Sequence, residues 1–415
     1  MDTKLADWAK QSREGQEAEA ILRRCVHCGF CTATCPTYQI LGDELDSPRG
    51  RIYLIKQVLE GKEVTRKTQQ HLDRCLTCRN CETTCPSGVQ YGQLIDIGRK
   101  LVDDRVERPL MERVKRDSLK SLMSNKGAFN TAMSMGRAMR PLVPGSLKNK
   151  ITVKRDPGAW PMRKHDRKVI LLNGCVQPGM LPSIDAATAR VLDFLGVQSV
   201  VAQGSGCCGA VKFHLNDHDG GLAQMKANVD AWWSLVASKQ VEAIVMNASG
   251  CGVTVREYGH HLRHDPHYAT RAQRISALCM DVSEYIAKFG GERLTALRSR
   301  IDEKRNGADG QKLAFHPPCT LQHGQQVKGV TETLLRQLGF ELTPVADSHM
   351  CCGSAGTYSV LQPELSEQLK QRKLQSLCAS SPDGIVSSNI GCISHLAGGA
   401  KVPVTHWIEA VDRLL

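Results

Sequence analysis

The feature that most constrains this chain is a cysteine spacing that occurs twice near its start. Both copies follow the pattern C-x-x-C-x-x-C-x-x-x-C-P, first as CVHCGFCTATCP and then as CLTCRNCETTCP. This spacing is typical of the bacterial ferredoxin run that binds a [4Fe–4S] cluster. The eight cysteines are Cys25, Cys28, Cys31 and Cys35 in the first copy, and Cys75, Cys78, Cys81 and Cys85 in the second.

The fourth cysteine of each copy lies too far along the chain to join the first three. In two-cluster ferredoxins it ligates the other cluster, which keeps the two clusters close enough to exchange electrons. The sequence therefore predicts two ligand sets that cross between the copies. They are Cys25, Cys28, Cys31 and Cys85 for cluster 1, and Cys35, Cys75, Cys78 and Cys81 for cluster 2.

Zinc is the plainer alternative for these cysteines. Zinc sites usually combine two C-x-x-C pairs, or cysteine with histidine, and need only four ligands. Eight cysteines in two copies of the ferredoxin spacing favour iron–sulfur clusters over zinc.

Cysteine usage also indicates the cellular compartment. The chain has eighteen cysteines, and its first residues lack the apolar segment of a secretory signal. No apolar run reaches the roughly eighteen residues that a membrane-spanning helix needs. Cysteines in such a chain serve metal or redox chemistry rather than disulfides, so we expect a cytoplasmic protein.

The formal net charge of +12 is concentrated in one segment. Residues 99–168 contain nineteen Lys or Arg and seven Asp or Glu. Such a segment is either a solvated linker or a docking surface for a partner subunit or the inner membrane face. We do not expect nucleic acid to bind, because the segment has only two aromatic residues, Phe129 and Trp160, and no binding motif.

Apolar residues at helical spacing predict helices over residues 4–24, 50–60 and 65–74. The long helical insert between the two cysteine motifs favours an α-helical ferredoxin domain over residues 1–100. Five prolines then break the pattern in residues 101–165. We interpret this segment as a basic linker with short helices at 110–123 and 129–139.

Strands alternate with helices in the rest of the chain, which predicts parallel sheets. Two halves, 166–305 and 310–415, repeat one order of a single cysteine, a Cys-Cys-Gly sequence and a last cysteine. Thirty-one residues separate the first cysteine from the pair in both halves, and 42 and 39 separate the pair from the last. The predicted fold is therefore α+β multidomain, with a helical di-cluster ferredoxin domain followed by two duplicated α/β domains.

Each half contains four cysteines that follow strands, at the edge where open α/β sheets place their sites. A glycine after the adjacent pair permits a turn that points both thiols inward. Each set is a possible metal or iron–sulfur site, and the alternative is a buried set of reduced thiols. The sets are Cys175, Cys207, Cys208 and Cys251 in the first half, and Cys319, Cys351, Cys352 and Cys392 in the second.

The remaining candidates are weaker. His27 lies inside the first cysteine loop and could donate a hydrogen bond to sulfur. One of His316, His323 and His349 could act as an acid–base group near an acceptor site. Cys279 and Cys378 belong to no motif and are expected to be plain buried thiols. No G-x-G-x-x-G follows a strand and no P-loop is present, so the chain has no evident flavin, nicotinamide or ATP site and no catalytic residues of its own.

Two ferredoxin motifs followed by two Cys-Cys-Gly halves resemble the family of iron–sulfur subunits with paired cysteine-rich (CCG) domains. That family includes subunits of heterodisulfide reductase, anaerobic glycerol-3-phosphate dehydrogenase, lactate-utilisation proteins and glycolate oxidase. The stretches ILRRCVHCGFCTATCP, CCGAVKFHLN, AFHPPCTLQH and CCGSAGTY are similar to the glycolate oxidase members.

This resemblance implies a complex with an FAD-binding glycolate oxidase subunit and a further flavoprotein-like subunit, which oxidises glycolate to glyoxylate. It implies that FAD is bound by the partner, and that electrons pass through both clusters to a membrane acceptor such as quinone. The chain would then be cytoplasmic and peripherally associated with the inner membrane.

The chain departs from the family pattern at one position in each half. The full CCG pattern ends in C-x-x-C, but Ala248 and Asn389 replace the first of those cysteines. A five-thiolate noncubane cluster is therefore not expected, while a cubane, zinc or no metal stays open. Two alternative functions remain: a catalytic reductase of the heterodisulfide-reductase type acting at these sites, or the equivalent subunit of a lactate or glycerol-3-phosphate dehydrogenase.

Overall fold

The computed structural model describes residues 1–140, 155–306 and 311–415. Ten helices of the N-terminal part are α1 Asp7–Gln11, α2 Arg13–Arg24, α3 Phe30–Ala33, α4 Pro36–Leu41, α5 Pro48–Leu59, α6 Arg66–Asp73, α7 Asn80–Thr84, α8 Tyr91–Asp103, α9 Leu110–Met123 and α10 Lys126–Ala138. The eight strands are β1 Arg167–Leu171, β2 Val197–Val200, β3 Ala243–Met246, β4 Cys279–Asp281, β5 Lys312–His316, β6 Glu341–Leu342, β7 Gly384–Ser387 and β8 Val404–His406.

Helices also connect and flank these strands. In the first half they are α11 Gln177–Met180, α12 Ser183–Phe194, α13 Ala210–His214, α14 His218–Ala237, α15 Ser249–Arg256, α16 Tyr258–His261, α17 Ala269–Leu278, α18 Val282–Phe289 and α19 Gly291–Arg305. In the second half they are α20 Val330–Gln337, α21 Tyr358–Leu361, α22 Pro363–Cys378, α23 Ile390–Ala397 and α24 Trp407–Asp412. Among the described residues, no helix combines the length and apolar character needed to cross a membrane.

The N-terminal helices pack around one apolar core, and α5 and α8 form its centre. Gly98 of α8 lies so close to Ile55 of α5 that an added Cβ would sit 2.5 Å from its Cγ1. This close approach places the first residues of α5 and α8 near each other. The predicted helices at 50–60 and 65–74 are confirmed as α5 and α6.

The helix predicted over residues 4–24 is wrong in one respect, because the structure divides it at Ser12. Ser12 has an extended backbone, and its hydroxyl accepts a hydrogen bond from the backbone N–H of Gly15 at 3.1 Å. It therefore caps the start of α2, and the chain turns between α1 and α2 instead of continuing as one helix.

The basic segment is partly folded onto the ferredoxin part. The predicted helix at 110–123 is α9, and α10 begins three residues before the predicted start at Phe129 because the Asn125 side chain caps it. Arg108 and Arg116 pair with the buried carboxylate of Asp73 at 2.6 Å and 2.9 Å. The part of the predicted linker at 141–154 lies outside the described residues.

The two halves that follow have the same sheet. Their strand orders are β2-β1-β3-β4 and β6-β5-β7-β8, and all pairs are parallel. The predicted parallel sheets and the duplication are therefore confirmed. The last strand of each sheet, β4 or β8, was not predicted, since three-residue strands leave too short a pattern to detect.

The halves pack face to face around a pseudo-twofold axis. Helix α12 follows the first strand of the first half and packs against α24, which follows the last strand of the second half. Helices α20 and α18 form the equivalent contact with the two halves exchanged. Arg190 of α12 bonds to the Asp412 carboxylate at 2.6 Å and 2.7 Å. One apolar core is continuous between both sheets, so the two halves form one packed body.

Candidate metal centres

The first crossed set of cysteines surrounds one cavity next to the first motif. Cys25, Cys28, Cys31 and Cys85 line it together with Tyr91. Burial, and after it the neighbouring thiols of Cys25, Cys28 and Cys85, raise the pKa of Cys31 to about 11. The thiols therefore face one another, and His27 and Gly29, at φ of 56° and 85°, form the left-handed turns that direct them inward.

The second crossed set surrounds a neighbouring cavity. Cys35, Cys75, Cys78 and Cys81 line it. The pKa of Cys81 is raised by burial and then by Cys78, Cys75 and Cys35. Thr77 and Arg79 take the same left-handed positions here as His27 and Gly29 do in the first loop. The structure thus brings together both predicted sets of four, while their role as cluster ligands stays a prediction.

The two cavities share part of their walls. Pro48, Cys81 and Tyr91 line both. Pro48 and Tyr91 are the first residues of α5 and α8, so both cavities lie at helix N-termini, where the helix dipole favours negative charge. A pair of thiolate-bound clusters, which carry net negative charge, fits this position.

A buried arginine lies beside the second set, and sequence reasoning missed it. The Arg51 side chain is 1% exposed, and it donates to the Asp46 carboxylate at 3.2 Å and the Thr37 hydroxyl at 3.1 Å. Although burial opposes its charge, neighbouring Cys75, Tyr91 and Cys35 hold the pKa of Arg51 above its ordinary value. The sequence did contain a signal, because Arg51 falls on the apolar face of its helix.

Two hydroxyl groups complete the surroundings of the second set. The Tyr91 hydroxyl lies 3.7 Å from Cys75 Sγ, within the range of a hydrogen bond to sulfur. The Thr37 hydroxyl lies 3.3 Å from Cys35 Sγ. Donors to cluster sulfurs, together with a buried cation, stabilise the more negative, reduced form of a cluster.

The first Cys-Cys-Gly half brings its four thiols together. Cys175 Sγ lies 3.3 Å from Cys207 Sγ, and the neighbouring Cys207 and Cys251 thiols raise the pKa of the buried Cys208. Hydrogen bonds from Cys175 and Cys208 lower the pKa of Cys207. Gly209 has a φ of 96°, which confirms the predicted irregular turn after the pair.

The second half repeats this arrangement. The neighbouring Cys319 and Cys352 thiols shift the pKa of Cys351, and the neighbouring Cys351 and Cys392 thiols shift that of Cys352. Gly353 has a φ of 86°, and a Cβ there would lie 2.5 Å from the Ser366 carbonyl oxygen. Both predicted sets are therefore assembled, and their occupancy by metal stays a prediction.

The second set also adjoins the ferredoxin part. Cys319 packs beside Cys78, a member of the second crossed set, and the Cys78 thiol raises the pKa of Cys319. Both lie in an apolar cluster with Leu76, Cys351 and Tyr358, and the Tyr358 hydroxyl donates to the Arg74 carbonyl at 3.1 Å. A continuous run of thiols thus links the ferredoxin cavity to the second sheet.

The predicted histidines lie in different environments. His27 is exposed at the rim of the first cavity, and partial burial followed by nearby Arg49 lowers its pKa. His323 connects the ferredoxin part to the second cysteine-rich half. Its Nδ1 lies 2.9 Å from the Thr83 hydroxyl, and its Nε2 lies 3.0 Å from the His349 carbonyl oxygen. His316 is fully buried beside Cys352 and Cys392.

The two unassigned cysteines fit the prediction of plain thiols. Cys279 is buried in β4 and donates to the Gly252 carbonyl at 3.8 Å. Cys378 is half-buried at the end of α22.

Comparison with known families and proteins agrees with this arrangement. Residues 21–89 match the family described as 4Fe-4S dicluster domain, which implies two [4Fe–4S] clusters. Residues 169–256 and 313–397 each match the family described as Cysteine-rich domain.

Three curated relatives illustrate the similarity. The glycolate oxidase iron-sulfur subunit of Escherichia coli is 51% identical over 100% of this chain and 99% of its own length. The probable glycolate oxidase iron-sulfur subunit of Bacillus subtilis is 29% identical over 92% of this chain and 90% of its own. Lactate utilization protein A of Bacillus licheniformis is 26% identical over 59% of this chain and 99% of its own. With its dicluster domain, its two cysteine-rich halves and a full-length match of this strength, the chain belongs to the family of glycolate oxidase iron–sulfur subunits.

Proposed function

We propose that this chain is the electron-transfer subunit of a flavin-dependent glycolate oxidase. The observation that carries the proposal is the pair of adjacent cavities, each lined by a crossed set of four cysteines and sharing Cys81 and Tyr91. When bound, the clusters would carry single electrons between donor and acceptor. The chain's own residues would hold them at helix N-termini, and Arg51 and two hydroxyls lie beside the second set.

The proposal assigns glycolate chemistry to a partner. The relative of E. coli is named as a subunit of glycolate oxidase, so an FAD-binding subunit and a further flavoprotein-like subunit are the expected partners. Glycolate would be oxidised to glyoxylate on the partner's FAD, since the sequence of this chain has no dinucleotide motif. Electrons would then leave this chain and pass to quinone or another membrane acceptor.

The four-part division of the chain is part of this proposal. It comprises the ferredoxin domain at 1–100, the basic linker at 101–165, and the cysteine-rich domains at 166–305 and 310–415. The basic segment also supports a cytoplasmic location with peripheral contact to the inner membrane, since α9 exposes Leu110 (62%) and Met111 (78%) among its basic residues. Release of the complex from membranes by high salt would support this contact.

The direct test uses the assembled complex from the native cell. A flavoprotein should co-purify, and glycolate, rather than lactate or glycerol 3-phosphate, should reduce an added dye. Cys28→Ser should abolish dye reduction while glycolate still bleaches the flavin. Cys378→Ser, at a half-buried thiol outside all four sets, is the matched control and should retain both activities. Loss of flavin reduction in an assembled Cys28→Ser complex would contradict the relay.

One observation favours a second candidate, a reductase that acts at the second thiol set. The contact of Cys319 with Cys78 would deliver electrons there directly. This alternative predicts that the isolated, chemically reduced chain reduces a disulfide or a quinone, and that Cys352→Ser abolishes this reaction without affecting flavin reduction in the complex.

A further inference from the structure

The two duplicated halves differ at one position beside their thiol sets. His316 ends β5, three residues before Cys319. The residue at the same distance before Cys175 is Leu172, which is also buried. A histidine therefore replaces an aliphatic side chain in the second half only.

The geometry around His316 is that of a small ligand set. A ring nitrogen of His316 and the sulfur atoms of Cys352 and Cys392 all lie within 4.8 Å of one another, and all three residues are buried. Tetrahedral zinc, with Zn–S near 2.3 Å and Zn–N near 2.0–2.1 Å, holds its ligand atoms roughly 3.5–3.8 Å apart. Modest closure around one ion would satisfy this geometry, whereas a cubane spreads its thiolates over different iron corners.

The imidazole of His316 also has no other use in the fold. Its side chain is 0% exposed, and within the described ranges neither ring nitrogen finds a hydrogen-bond partner. An unsatisfied buried polar group costs about 1–3 kcal/mol, so its retention calls for a ligand.

The charges of this set suit a divalent ion. Two thiolates neutralise one M²⁺, and a neutral imidazole adds no charge, so the complex can be buried without a large desolvation penalty. Mixed cysteine and histidine ligands are typical of zinc. Among the described residues, Asp43, Asp46 and His71 are the other group of side chains close enough together to hold one metal ion. Their charge does not suit a divalent ion in the same way, because Arg51 and Arg74 already pair with Asp46.

We propose that His316, Cys352 and Cys392 bind a single divalent metal ion of the zinc class, in the second half only. The inference names ligands for one of the two thiol sets and does not depend on which substrate or acceptor the complex uses. Such an ion joins the end of β5, the turn before Gly353 and the start of α23. Because Cys351 in that turn packs with Cys319 and Cys78 in one apolar cluster, the ion would also hold Cys319 against Cys78.

The test uses the full chain, purified without oxygen and with its clusters intact. Zinc and iron are counted by plasma mass spectrometry in the wild type and in three variants. His316→Leu installs the residue found at the corresponding position of the first half, and His316→Cys restores a zinc ligand. His264→Ala changes an exposed histidine as the matched control.

We expect about one zinc beside about eight irons per chain in the wild type and in His264→Ala. His316→Leu should lower zinc about tenfold or more while cluster iron is unchanged, and His316→Cys should keep the zinc. Zinc-edge X-ray absorption should show a Zn–N distance near 2.0–2.1 Å in the wild type that is absent from His316→Cys. Unchanged cluster iron in the variants shows that the chain has folded.

Three results would overturn the inference. In the first, the wild type with both clusters takes up no further metal after dialysis against zinc or ferrous iron. In the second, His316→Leu binds as much of the additional metal as the wild type does. In the third, Cys251→Ser, a variant in the first half, loses this metal. An extra iron that His316→Leu removes would support the site and assign iron to it. These outcomes are independent of glycolate oxidation, which is tested on the complex.

Discussion

The side chain of Cys319, in the second cysteine-rich half, packs in one apolar cluster with Cys78, in the second ferredoxin motif. The neighbouring thiols of Cys351 and Cys78, together with burial, hold the pKa of Cys319 well above its ordinary value. The two residues are far apart in sequence, and their contact connects the proposed electron path to the sheet domains.

This contact predicts a change in cluster potential. Cys319→Ala removes the thiol packed beside Cys78, a proposed ligand of cluster 2, and a hydrogen bond between these two sulfurs would be worth about 1 kcal/mol. For a one-electron couple this corresponds to about 40 mV, and the reduced cluster loses the stabilisation. We expect the midpoint potential of cluster 2 to fall by about this amount in an EPR-monitored titration. Cys175→Ala, in the equivalent position of the first half, should leave it unchanged, and an equal shift in both variants would refute the argument.

The crossed ligand sets predict which variants share a spectrum. Cys85→Ala removes a ligand of cluster 1 although it lies in the second motif, so its EPR spectrum should match that of Cys28→Ser. Cys35→Ala should match Cys78→Ser for the same reason. The opposite matching would show that each motif binds its own cluster.

Arg51 predicts a large loss of stability. Its removal in Arg51→Met takes away one of the two arginines that pair with the Asp46 carboxylate, which is 0% exposed, and leaves Arg74 as the other. Loss of a hydrogen bond to a buried charged group costs about 1.5–3 kcal/mol, so we expect a loss of about that size in denaturant unfolding. The control is Arg49→Met on the same helix, whose exposed pair with Glu44 should be worth less than about 1 kcal/mol. Equal losses would contradict this role of burial.

His406 predicts part of the acid sensitivity. Its Nδ1 accepts from the Ile408 N–H at 3.1 Å, so Nε2 carries the proton and donates to the Asn247 carbonyl at 2.9 Å. Burial lowers the pKa of His406 to about 4. The unfolded chain, with a pKa near 6.5, binds the proton more readily, so this stability is present above about pH 6.5 and is lost as the pH falls towards 4.

The matching variant is His406→Asn, which can still cap α24 but does not titrate. Between pH 6.5 and 4 the wild type should lose roughly 3 kcal/mol more than this variant, measured as the difference in denaturant midpoints. Parallel pH profiles for the two proteins would rule out His406 as the source.

The sequence predicted those parts of the site that local spacing determines. The cysteine intervals and the glycine after each Cys-Cys pair were sufficient to group all sixteen thiols, because a short loop determines where its own side chains point. Strand β4 was not found, since three residues carry little periodicity. The contact of Cys319 with Cys78 depends on how separate domains pack, and the missing partners of His316 depend on packing within the second half. Local patterns encode neither.

The crossing of the two cysteine motifs has a consequence for how the protein is made. With the proposed crossed ligand sets, each centre would lack part of its anchor while the ribosome has released only the first motif, because Cys85 is translated sixty residues after Cys25. Cofactor insertion would then have to wait until α5 and α6 have folded and brought the second loop back. Neither centre would mature alone, and a chain truncated between the motifs would leave the assembly machinery with nothing it could complete.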